Sequence, residues 1–210
     1  MAFVRIPGIL RKIYPGLTWN IPGEGRVLHL TFDDGPTLDI TDQVLSILAA
    51  SNARATFFCI GRNAERHPEI LRRILDAGNA VGNHTYSHLK GWYSPNREYY
   101  DDIELASQFV PSQLYRPAYG MITPAQIRYL KHRFHIVLWD VMSYDFDPAT
   151  TKEKCLANVI RFAGPGSVIV FHDSVKASAN LLYTLPRVLE YFGGKGFSFE
   201  AISASGAIKI

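Results

Sequence analysis

Gly164-Pro165-Gly166-Ser167-Val168-Ile169-Val170-Phe171-His172-Asp173 is the stretch that decides the fold. A Gly-Pro-Gly turn feeds a run, Ser167–Phe171, whose apolar residues are continuous rather than alternating. A strand of that kind is covered on both faces and belongs to a mainly parallel sheet. It ends on two residues able to do chemistry, His172 and Asp173.

Working outward, the same unit recurs. Short apolar runs read as strands at Val27–Phe32, Ala55–Ile60, Ala80–Gly82, Gln113–Arg116, His135–Trp139 and Ser198–Ile202. Between them lie helical patterns. Thr41–Ser51 carries one stripe of Val44, Leu45, Ile47 and Leu48. A helix from His67-Pro68 through Asp76 has proline in its first turn and Gly78 just past its end. Arg97–Val110, a segment opened by Pro124, Lys152–Phe162 and Leu181–Phe192 complete the series. Strands alternating with helices predict an α/β fold. About seven such units predict an incomplete barrel of the (β/α)₈ kind.

The chain has 210 residues, enough for one domain with a sizeable core. Its net charge of +3 is weak, and no basic stripe with interleaved aromatics exists, which argues against a nucleic-acid partner. Lys131-His132-Arg133 reads as a solvated helix end. No apolar run is long enough to span a membrane. Residues 1–25 are basic and apolar, broken by Pro7-Gly8 and Pro15-Gly16, and read as an N-terminal packing arm before a single domain at 26–210. They contain no continuous apolar segment with a small-residue cleavage site, which leans towards a cytoplasmic protein. Cys59 and Cys155 make no CxxC and read as buried free thiols. The sequence leaves the oligomeric state open.

Polar residues collect just after the strands. Asp33-Asp34 follow the first, His84 and His88 the third, Arg116 the fourth, Asp140 and Asp145 the fifth, and His172-Asp173 the run quoted above. In a parallel barrel all of these lie on the C-terminal face, where such folds carry their sites. Singly, each has a plain reading: Asp-Asp-Gly-Pro as a turn, the histidines as surface groups, Arg116 as a surface charge, His172 as a core histidine. Together they point elsewhere. Adjacent carboxylates at a strand end repel, and a cation relieves the cost. Two histidines four apart can meet one metal, and with one Asp they leave positions open for water and substrate. Arg116, held extended by Pro117, has an aimed guanidinium. His29, His67, His132 and His135 lack such company and read as structural or surface residues.

In order along the chain, these residues resemble the polysaccharide deacetylases, the group with the NodB homology domain, also called carbohydrate esterase family 4. Thr31-Phe32-Asp33-Asp34-Gly35-Pro36 is similar to the first motif of that family, His84-Thr85-Tyr86-Ser87-His88 to the second and Arg116-Pro117-Ala118-Tyr119-Gly120 to the third. Ser143-Tyr144-Asp145-Phe146 resembles the fourth, and Val168–Asp173 the fifth. The resemblance implies a distorted (β/α) barrel and hydrolysis of N-acetyl, or O-acetyl, groups on a glycan containing N-acetylglucosamine. It implies one divalent metal held by Asp34, His84 and His88, with zinc favoured and cobalt, nickel or iron compatible. Asp33 would be the base and Arg116 would orient it. His172 would be the acid, tuned by Asp145, and a backbone N–H at Tyr119 would help form the oxyanion hole. Pro117, Tyr119 and Phe146 would line the substrate groove. Two departures touch that groove: Phe146 stands where the family has Trp, and Met142 where an Asp is common. They bear on substrate choice rather than reaction type. Three other readings stay open: a cyclic-amide hydrolase of the same fold, a non-catalytic glycan-binding protein, and an iron oxygenase using the two histidines and a carboxylate. The Asp pair argues against the first and the full acid–base set against the second.

Overall fold

The computed structural model describes residues 4–14 and 16–203. Residues 1–3 and 15 of the arm, and 204–210 at the far end, lie outside the described residues.

The strands are β1 (Val27–Asp33), β2 (Ala55–Cys59), β3 (Ala80–Asn83), β4 (Leu114–Tyr115), β5 (His135–Ile136), β6 (Val141–Met142), β7 (Val168–His172) and β8 (Ser198–Phe199). They form one sheet in the order β5-β4-β3-β2-β1-β7-β6, and the short β8 pairs with the start of β1. Every named pair is parallel. The expected seven-stranded, incomplete barrel is what the chain forms. The run at Ser167–Phe171 forms strand β7, paired on both sides by β1 and β6, with Val168, Ile169, Val170 and Phe171 wholly buried.

Alternation along β1 explains the two layers. Leu28, Leu30 and Phe32 join the outer core, with Val44 and Leu48 of α2 (Ile40–Ala50) and Leu181, Leu185, Val188 and Leu189 of α8 (Ser178–Gly193). Each such side chain contributes about 1.5–3 kcal/mol on full burial. Residues 29, 31 and 33 point the other way, as the period of two requires. Inside the barrel the Thr31 hydroxyl donates to Ile169 O (2.8 Å) and Arg116 reaches both Thr31 and Asp33. Helix α4 (Pro68–Asp76) follows its sequence signals: Pro68 opens it, Ile70, Leu71 and Ile74 are buried, and Gly78 adopts φ +75° beyond it. Helix α6 (Pro124–Leu130) is held by a reciprocal capping pair of Thr123 and Gln126. Helices α5 (Asn96–Phe109) and α7 (Lys152–Phe162) match their patterns closely. Among the described residues no helix is long and apolar enough to cross a membrane.

Several elements differ from the sequence reading. Helix α3 (Gly61–Arg66) has only Gly61 and Ala64 buried, so no apolar stripe announces it. The run His135–Trp139 splits: β5 stops at Ile136 and β6 starts at Val141. Strand β8 stops at Phe199, and α8 starts at Ser178 and carries Pro186 inside.

The split has a cause. Strands β5 and β6 do not pair with each other; the arm runs between them. Thr18 N–H donates to Ile136 O (2.9 Å) and Leu138 N–H to Thr18 O (2.7 Å). On the other side Met142 N–H donates to Val4 O (2.8 Å), Ile6 N–H to Asp140 O (3.0 Å) and Ile21 N–H to Gly166 O (2.8 Å). The arm also contains a short helix α1 (Gly8–Ile13), and Leu17 packs with Tyr115, Phe134 and Ile136. It therefore seals the seam of the barrel. Asp140, read from sequence as a strand-end chemical group, belongs to this seam. Its buried carboxylate accepts from Val168 N–H (2.9 Å) and the Ser167 hydroxyl (3.0 Å) and lies 3.7 Å from Arg11. Cys59 and Cys155 are both buried and unpaired.

Candidate active site

A cleft of about 560 Å³ opens at the C-terminal ends of the strands, lined by Asp33, Asp34, His84, His88, Tyr119 and His172 among others. That volume is within the range of small-molecule sites. Three clusters meet there.

The first is a candidate metal centre. One ligand atom each from Asp34, His84 and His88 lies within 4.8 Å of the others. Nε2 of His88 is 3.3 Å and Nε2 of His84 3.8 Å from Asp34 Oδ1. Nδ1 of His84 is 2.8 Å from Arg116 O. A carbonyl only accepts, so Nδ1 carries a proton and Nε2 is the nitrogen turned to the cleft. Burial, and then the neighbouring His84, push His88 down to about 4, so its ring is neutral at pH 7. The donor set therefore fits a divalent metal ion.

Local backbone turns make this convergence possible. Asp34 has φ +79°, which turns the chain after the strand so that neighbouring carboxylates can share one centre. The loop behind it is clamped by Asp173: its Oδ1 accepts from Gly35 N–H (3.1 Å) and its Oδ2 from the Thr41 hydroxyl (2.6 Å). A Cβ on residue 35 would lie 2.1 Å from that carboxylate, so only glycine fits. The loop His84–His88 is not helical. Thr85 and His88 take positive φ, and Asp102 of α5 accepts from Tyr86 N–H (2.8 Å), Ser87 N–H (3.1 Å) and the Ser87 hydroxyl (2.6 Å).

The second cluster is a buried ion pair. Arg116 is fully buried and donates to Asp33 Oδ1 (2.7 Å), Thr31 Oγ1 (2.7 Å), Val137 O (3.1 Å) and Leu138 O (2.8 Å). Its guanidinium also stacks 4.0 Å over Phe58. Burial alone would raise the Asp33 pKa. The Arg116 charge, helped by His84 and His172, outweighs it and holds the carboxyl below its ordinary value. Asp33 is thus a carboxylate at neutral pH, gripped from behind and facing the cleft.

The third cluster is a histidine held at both ends. Asp145 is 1% exposed and accepts from His172 N–H (2.7 Å) and from ring Nδ1 (2.8 Å). Nε2 is thereby free to face the cleft. Burial would lower this histidine, but Asp145, with Asp33 and Asp34, pushes it up to about 9. The ring is a cation at neutral pH and can donate a proton.

The other residues expected at the site sit around these. Tyr119, with φ +60°, packs at a tilt against His88, and Phe146 meets His172 edge-on. Pro117 is buried beside the cleft and is not part of its lining. Trp139, Met121, Met142, Ser174 and Lys176 line the cleft as well; of these, only Met142 drew attention in the sequence. Asp102 has no signal in the sequence, because it acts by clamping backbone N–H groups, which no residue pattern reveals; Asp173, read with His172 as a strand-end group able to do chemistry, clamps the loop behind Asp34 instead. His29 lies at the opposite end of β1, 3.0 Å from Glu200 O, in a structural role.

Comparison with known proteins agrees with this geometry. The chain is 30% identical over 194 residues to a peptidoglycan-N-acetylglucosamine deacetylase of Bacillus cereus, covering 89% of this chain and 91% of that protein. It is 32% identical over 191 residues to the peptidoglycan-N-acetylmuramic acid deacetylase PdaC of Bacillus subtilis, covering 88% of this chain but only 39% of that longer protein. A crystal structure of a peptidoglycan N-acetylglucosamine deacetylase bound to 4-naphthalen-1-yl-N-oxidanyl-benzamide superposes with a TM-score of 0.86 at 30% identity, over 94% of this chain and 95% of that one. The sequence model of the family described as polysaccharide deacetylase matches residues 20–133, more than half of the chain. On that match, with the same barrel and similar sequence across nearly the whole length, this chain belongs to the polysaccharide deacetylase family.

Proposed function

We propose that this chain hydrolyses acetamide groups on a glycan containing N-acetylglucosamine, releasing acetate and a free amine, with residues 26–210 as the catalytic domain. The observation that carries this reading is the convergence of two oppositely tuned groups, carboxylate Asp33 and cationic His172, on a cleft that also holds the Asp34–His84–His88 cluster. Groups whose pKa values are driven apart are the mark of a base and an acid.

In this mechanism Asp34, His84 and His88 would hold one divalent cation, zinc on the chemistry of the donors. When bound, such an ion polarises an acetyl carbonyl and lowers the pKa of water. Asp33 takes the proton from the attacking water. Arg116 fixes the carboxylate so that it does not rotate out of reach. Negative charge developing on the acetyl oxygen is met by the Tyr119 N–H. His172 then gives the proton on Nε2 to the leaving amine, and Asp145 keeps that ring charged until transfer. Tyr119 and Phe146 shape the groove.

Purified wild type is expected to bind about one equivalent of divalent metal and His88→Ala to lose it. Elemental analysis of both, beside acetate release from chitooligosaccharides and peptidoglycan fragments, tests the reading. Unchanged metal content in His88→Ala would remove His88 from the ligand set, and release from O-acetyl xylan but never from N-acetylated sugars would overturn the substrate.

The pH profile is a second test. The base must be ionised and the acid protonated, so kcat/KM is bell-shaped, and its alkaline limb falls as His172 loses its proton. That group sits near 9 and a bound cation draws it lower. Asp145→Asn removes the charge that raises it, so the alkaline limb must move to lower pH. His172→Asn must remove the limb. A limb unmoved by Asp145→Asn would assign it to another group.

A further inference from the structure

The two walls of the cleft are built alike. On one, the His88 ring packs against Tyr119 (centroids 4.6 Å apart), and Lys90 Nζ lies 4.7 Å over the Tyr119 ring. On the other, the His172 ring meets Phe146 (4.8 Å), and Lys176 Nζ lies 5.7 Å over the Phe146 ring. In each, histidine, aromatic ring and lysine touch in series; the rings and Lys176 line the cleft, and Lys90 sits over the Tyr119 ring. Both lysines are exposed, and among the described residues neither forms an ion pair with a carboxylate. The aromatic face positions an ammonium only weakly, so an incoming anion has no salt bridge to break. The floor does not oppose this. Asp33 is neutralised by Arg116, and Asp34 belongs to the cluster suited to a cation.

We propose that Lys90 and Lys176 are specificity-determining residues that select a glycan carrying carboxylates on both sides of the sugar being deacetylated. A neutral glycan offers the two ammonium groups only hydroxyls. A chain whose neighbouring sugars bear acid substituents offers each one a partner. The inference rests on the deacetylase reading and deepens it.

The test uses one soluble N-acetylated oligosaccharide in two forms: alternating N-acetylglucosamine and N-acetylmuramic acid with free carboxylates, and the same oligomer with those carboxyls converted to amides. Acetate release from the wild-type protein should give a higher kcat/KM on the acid form, by about two- to fivefold per lysine at low ionic strength. The preference should shrink at high salt, because exposed charges are screened within about 10 Å at 0.1 M. Lys90→Gln and Lys176→Gln should each lower the ratio between the two forms, and the double variant should bring it near one. Lys176→Arg should keep it, which a packing role for the side chain would not require. Equal kcat/KM on both forms, or a preference that survives the double variant, overturns this inference and leaves the deacetylase reading standing. No acetate from either form, nor from a chitooligosaccharide, overturns the deacetylase reading and this inference with it.

Discussion

Asp33→Asn should keep its metal and lose turnover by about 10²–10⁴-fold, the contribution of a positioned general base. The amide has nearly the same shape and retains an oxygen to accept from Arg116, so the loop and the neighbouring Asp34 stay in place. What it loses is the ability to take a proton. Removing the negative charge leaves Arg116 opposed only by neutral oxygens, so some stability goes too, and activity must be measured well below the melting temperature. Asp34→Asn should behave differently. Its oxygen is within 3.3 Å and 3.8 Å of the two histidine Nε2 atoms, so metal affinity should fall, and added metal should restore part of the activity. Metal content and acetate release, measured on both variants, separate the roles. A full metal site in Asp34→Asn with an empty one in Asp33→Asn would exchange them.

Arg116→Met should cost about 3–5 kcal/mol of stability, because it strands a buried carboxylate. It also orphans the carbonyls of Val137 and Leu138, to which the guanidinium donates at 3.1 Å and 2.8 Å. For a chain of this size each kcal/mol moves Tm by about 2–4 °C. Thermal unfolding should therefore show a drop of roughly 6–20 °C. The double variant Asp33→Asn/Arg116→Met should lose less than the sum of the single changes, since with Arg116 gone the amide no longer leaves a charge stranded. Strict additivity would mean that the pair is not coupled, and the tuning of Asp33 would need another source.

The legible parts of this fold were those whose side chains carry the pattern. Leu28, Leu30 and Phe32 on one face of β1, the unbroken run of β7 and the Pro68–Gly78 frame of α4 each need particular residues at particular spacings. Helix α3 and strand β6 do not. The first buries little, and the second exists because a distant backbone pairs with it. The site divides the same way. Its groups sit at strand ends in the order read from sequence, and the structure brings them together. Asp140 has the same address, yet it faces the seam and holds the arm. Position after a strand names the end of the barrel and not the side of it. The clamp Asp102 shows a second boundary: a carboxylate that organises a loop looks, in sequence, like any other acid on a helix.

The sealed seam also sets an order of events during synthesis. Residues 4–21 are made before every strand they join, and their partners at Ile136, Asp140, Met142 and Gly166 come from the last third of the barrel. Contacts so distant along the chain close slowly, and an unfilled gap between β5 and β6 leaves two rows of free N–H and C=O groups open to other chains. The arm therefore has no partner until Ile136 has been made, and its pairing across the seam is complete only once Gly166 has followed.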